Sequence, residues 1–166
     1  MSIISALSPT QIAGLSTRTI ANLTSADWTA FGTAQFAALS TVQAVGLTTD
    51  QIANLDSQDL RALSTNVIRS LSTAQIGALT SEDMGQLTTG QVAALNTDQL
   101  RTLTTTDLNA LTSDQFAAIN FTQAPALTTM QIANLEAGDI SALRPATVRS
   151  LTTNQIRAIT TEDFPC

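Results

Sequence analysis

Leu47-Thr48-Thr49-Asp50-Gln51-Ile52-Ala53-Asn54 is one of twenty successive copies of an eight-residue phrase, and its reading decides the fold. A Leu, or a Phe or Ile in its place, recurs every eight residues from Leu7 to Ile159 without insertion or deletion. Five places after each stands a second apolar residue, as in Ile12, Ile20, Trp28, Phe36, Ile52, Leu60, Ile68 and Ile76. A fixed short period implies a solenoid, in which each unit buries its apolar face only against its neighbours.

Numbering the octad from its Leu, position 2 is Ser, Thr, Asp or Asn in all units but those of Gly32, Glu136 and Arg144. Position 5 is Gln or Asp in all but those of Thr19, Val67 and Thr147. Ser or Thr followed three residues later by Gln is the capping box, with the Leu at N′ and the Ile at N4 placed to form a hydrophobic staple. Every octad therefore starts a new helix, and Pro9 and Pro145 fall at N1, where the missing N–H costs nothing. The helix has about six residues before the next cap, roughly 9 Å at about 1.5 Å per residue. So short a helix is held by packing, because it would melt alone.

The alternatives fail on period. In one continuous helix eight residues return the Leu roughly 80° out of phase, and in a strand a spacing of five puts Leu and Ile on opposite faces. The charges agree with capped helices. All 13 acids stand at the cap, N2 or N3, and Arg61, Arg69, Arg101, Arg149 and Arg157 stand at position 7 near the helix C-terminus. The helix dipole favours that arrangement.

A longer period overlies the octad. Residues 35–85 match residues 115–165 at roughly half of all positions, and Ala44 and Ala124 both replace the large residue at position 6. Residues 1–166 thus read as a single repeat solenoid of two tandem 80-residue units, about 7–86 and 87–166. Asp at position 5 recurs at 27, 59, 83, 107, 139 and 163, in steps of 32, 24, 24, 32 and 24. Three steps sum to 80, which implies a spiral of about 3.3 octads per coil if these residues share one ridge. The fold class expected is all-α, an α-solenoid of short capped helices. Six coils at a helix-packing spacing of about 8–10 Å give a rod about 50–60 Å long. Trp28, Phe31, Phe36, Met84, Phe116 and Phe164 take core slots, whereas Phe121 occupies N1 in the least regular octad, beside Asn120 and Pro125.

Composition narrows function. The chain has no His, no Tyr and no Lys, and its one Cys is Cys166, so the usual general bases and nucleophiles are nearly absent and a non-enzyme is expected. A net charge of −6 disfavours nucleic acid. No apolar run approaches a bilayer span of about 18 residues, and the opening residues lack the cationic start of a signal peptide. No cofactor, metal or small-molecule substrate is expected. Glu82-Asp83, Glu162-Asp163, Asp56/Asp59 and Glu136/Asp139 offer too few oxygens for Ca²⁺, which takes about six to eight.

The phrase Leu-Thr-Thr-x-Gln-Ile-x-Ala, seen with Asn for the last Ala at residues 47–54 and with Ser for one Thr at 71–78, resembles the LTTxQIxAL arrays of very large bacterial surface and secreted proteins. Those proteins are often labelled as adhesion or haem-utilisation proteins. The resemblance implies a bacterial, secreted or cell-surface setting within a larger protein, and a structural role as a rigid rod or spacer. Haem binding has no His or Tyr to support it. Two alternatives stand beside the spacer. One is a protein-binding solenoid, including a host-delivered effector, with Arg61, Arg69, Arg149, Arg157 and Phe121 as candidate partner contacts. The other is a filament subunit that stacks end to end, with Cys166 available to link ends.

Overall fold

The computed structural model describes residues 3–159. Phe164, the pair Glu162-Asp163 and Cys166 lie outside them. Among the described residues the chain is all-helical. After a 3₁₀ turn at Ile3–Ala6, eighteen α-helices of four to six residues follow, from α1 (Pro9–Ala13) to α18 (Thr153–Ala158).

Most octads close in the same way. In the unit quoted above, Thr48 accepts from the Gln51 N–H through its hydroxyl, and Gln51 Oε1 accepts from the Thr48 N–H at 3.0 Å. The Ile52 N–H donates to the Thr48 carbonyl at 3.1 Å, and the Leu55 N–H to the Ile52 carbonyl at 3.2 Å. Two extended residues then turn the corner. Position 1 is typified by Leu63 at φ −61, ψ 132, and the cap by Ser64 at φ −66, ψ 154. None of the described residues has positive φ, so no corner demands glycine. A Leu-Thr pair repeats indefinitely at no conformational cost.

One octad departs from the pattern. In residues 119–126 the α-helix is replaced by a 3₁₀ turn at Ala124–Ala126. Pro125 has no N–H to donate back along the helix, which removes the bond an α-turn would need. The cap survives nonetheless: Asn120 Oδ1 accepts from the Thr122 and Gln123 N–H groups at 2.9 and 3.1 Å. The irregular sequence changes the helix type and leaves the course of the coil unaltered.

Successive coils pack octad on octad at a spacing of three. α4 (Thr33–Ala37) lies on α7 (Ser57–Ala62), α8 (Thr65–Ser70) on α11 (Thr89–Ala94), and α15 (Thr129–Ala133) on α18. Positions 1 and 6 form one continuous buried core from Ile12 to Leu151, including Trp28, Phe31, Phe36, Met84 and Phe116. Ala44 and Ala124, also fully buried, each follow the octad of a core Phe, so a small side chain comes next after a large one.

Candidate functional site

What repeats in this molecule is a bond between coils, built from the glutamine at position 5. Its oxygen closes the capping box, which leaves an amide –NH₂ with two hydrogens to place. Gln91 is representative. Oε1 accepts from the Thr88 N–H at 2.8 Å, while Nε2 donates to the Leu60 carbonyl at 2.8 Å and the Leu63 carbonyl at 2.9 Å. Those carbonyls lie 31 and 28 residues earlier, at position 6 of the octad four back and position 1 of the octad three back. With helices packed at a spacing of three, the coil holds between three and four octads, which brackets the value read from the Asp spacing.

Ten such glutamines are buried: Gln35, Gln43, Gln51, Gln75, Gln91, Gln99, Gln115, Gln123, Gln131 and Gln155. Gln123, in the irregular octad, keeps both bonds, to Val92 and Leu95, at 2.9 Å. Gln11 is exposed. Each amide satisfies the backbone of its own coil and of the one below. That is the condition under which buried polar groups add stability rather than subtract it. Thr147 replaces Gln and still donates to the carbonyl 28 residues back, Ile119, at 3.0 Å.

Asp at position 5 does only half of this work. Asp83 and Asp107 accept from the Thr80 and Thr104 N–H groups at 2.8 and 2.9 Å, as a capping acid should. A carboxylate has no hydrogen for the carbonyls of the coil below, although Asp107 Oδ1 accepts from the Ser81 hydroxyl there at 2.9 Å. Two members sit beside a second acid. Burial, with the Asp56 carboxylate as a smaller contributor, raises Asp59 from 3.8 to about 6. Asp139 is also raised by burial, with Glu136 adding to the effect and a backbone hydrogen bond opposing it.

The candidate contact residues fall into two groups. Arg69 is committed to the fold: Nε donates to the Ala94 carbonyl of the coil above at 3.3 Å. Arg101 does the same to Ala126 at 3.1 Å, and Asn109 to Asn134 at 3.0 Å, so position 7 supplies a second, outer set of inter-coil bonds. Arg61, Arg149 and Arg157 are exposed. Phe121 is 64% exposed, and Val42, Val45 and Met130 are likewise large apolar side chains on the surface. Reading glutamine only as a cap misses the ladder. The available signal was the choice between Gln and Asp, which cap alike but differ in having an –NH₂.

No group of three or more His, Cys, Asp and Glu side chains among the described residues is placed to hold a metal ion. No helix among them is long and apolar enough to cross a membrane.

The ALTTAQ repeat family model matches residues 20–57, 52–89, 92–129 and 132–165, and the chain belongs to that family of repeats. No curated protein matches it.

Proposed function

We propose that this chain is a non-enzymatic structural module, a rigid rod or spacer within a bacterial secreted or cell-surface protein. The observation that carries the reading is the glutamine ladder, which ties coil to coil along the described length through buried amides, none of whose polar atoms is left without a partner. A spacer must resist bending between coils, and bonds of this kind are most valuable at that seam. The resemblance of the octad to arrays in large surface and secreted proteins supports the setting.

The test is a distance measurement between spin labels on exposed sites in the first and last coils, such as Thr10 and Arg149, with Cys166 replaced by Ser. A rod gives one narrow distance, and Gln91→Ala with Gln99→Ala in the middle coils broadens it. A broad distribution in the parent chain defeats the proposal. The protein-binding reading has one observation of its own, the exposed Val42, Val45, Phe121 and Met130. Capture of a partner that is lost on Phe121→Ser would favour it.

A further inference from the structure

The ladder opens at one place. Among the ten buried glutamines, Gln51 alone lacks the bond to the carbonyl 28 residues back: its Nε2 donates to Ile20 at 2.8 Å and does not reach Leu23. Trp28 stands at the same seam: its indole Nε1 donates to the Gln51 carbonyl at 2.8 Å. Beside it lies a cavity of about 170 Å³ lined by Leu23, Ser25, Trp28, Asp50, Gln51 and Asn54, among others. In liquid terms that is room for about six waters, or one molecule of a few heavy atoms.

Positions eighty residues later show what closure looks like. There Leu108 replaces Trp28, and Gln131 donates to both Leu100 and Leu103, at 2.9 and 2.8 Å. Asn109 replaces Thr29 and bridges to the Asn134 carbonyl. Thr29 instead turns its hydroxyl back onto the Ser25 carbonyl at 3.0 Å, so nothing among the described residues reaches the equivalent carbonyl of Asn54. Met130 stands where the cavity has Asp50.

The cavity offers three acceptors, the Leu23 and Asn54 carbonyls and the Asp50 carboxylate, beside a spare N–H on each of the Gln51 and Asn54 side-chain amides and the hydroxyls of Ser25 and Thr48. We infer that it binds a compact primary ammonium group. Three N–H donors answer the three acceptors, and the charge answers Asp50 and the net −6 of the chain. The chain has no Lys, so the ammonium comes from another molecule, either a small amine or the side chain of a lysine.

Trp28 is the only Trp and there is no Tyr, so the emission of the intact protein reports on this cavity. Titration with ethylammonium chloride at constant ionic strength should give a saturable change with a midpoint on the order of millimolar, the range open to so few atoms. Asp50→Asn should raise the midpoint about tenfold, the worth of a charge-assisted bond. Thr29→Asn, which copies Asn109, should abolish the response while leaving the fold intact. Tetramethylammonium, which has the charge without the donors, and ethanol, which has a donor without the charge, should give none. Nα-acetyl-lysine methylamide saturating at or below the ethylammonium midpoint would assign the group to a protein side chain, and a higher midpoint to a free amine. A response that does not saturate, that either control reproduces, or that Asp50→Asn leaves unmoved overturns the inference.

Discussion

Residues 23–54 and residues 103–134 run eighty positions apart along the same spiral, and they solve one packing problem in two ways. The first stretch fills its core with aromatics. Trp28 meets Phe36 edge-on at a centroid distance of 5.0 Å and Phe31 at 5.3 Å. The second uses Leu108 and Leu111 at the positions of Trp28 and Phe31. The bulk has a consequence at the seam: the aromatic copy has one amide-to-carbonyl bond fewer, no Asn bridge, and a cavity. The lesson is that the core and the ladder compete for the same space. A larger side chain at position 6 gains burial, and the polar seam outside it yields.

Replacement of the large residue gives the largest effect. Trp28→Ala should cost about 3–5 kcal/mol, the usual range for an aromatic removed from a core, read as a fall in the urea midpoint. Trp28→Leu should cost clearly less, because the residue of the second copy allows Gln51 to regain Leu23. Equal losses from the two variants would break the claim that Trp28 holds the seam open. The glutamines come next. Gln131→Ala strands two buried carbonyls, at about 1–3 kcal/mol each when unpaired, and Gln51→Ala strands only one. The second copy should therefore suffer more by roughly 1 kcal/mol or more from the same substitution.

How much of this was legible in the sequence follows from what each residue does locally. Ser40, Thr48 and Ser72 with Gln43, Gln51 and Gln75 announce their caps at a separation of three, and the structure has every one of those boxes. The count of octads per coil was legible because Asp at position 5 recurs at 24 and 32, either side of the true turn. The ladder was not. Its donor and acceptor lie 28 and 31 residues apart, and the capping box alone accounts for a glutamine at position 5, so no local pattern points to a partner for its nitrogen. Trp28 read correctly as core, yet nothing local said that its indole N–H would take the Gln51 carbonyl.

A smaller test exchanges the outer bridge. Asn109→Thr gives the second copy the residue of the first and removes the bond to Asn134, at about 1 kcal/mol. Local opening should then be seen as faster hydrogen exchange at the amides of α13 (Thr105–Asn109) and α15. Loss of protection spread evenly over the rod would argue against so local a role.

The two copies agree in one respect, and there the expected effect is least. Asp59 and Asp139, also eighty apart, are both raised, Asp59 to about 6 from 3.8, chiefly by burial and with an acid at the cap three residues before. The folded chain therefore holds these protons more tightly than the unfolded chain does. Stability must rise as pH falls through about 6, reach its full gain below 3.8, and be lost again as pH climbs back. Asp59 is only half-buried, so solvent screening reduces the gain to about 1 kcal/mol or less. The urea midpoint should be higher at about pH 4.5 than at about pH 7.5, and Asp59→Asn should flatten part of that slope. The opposite slope would mean that these carboxylates are held charged by a donor, and that the Asp octads are joined to their neighbours as firmly as the Gln octads are.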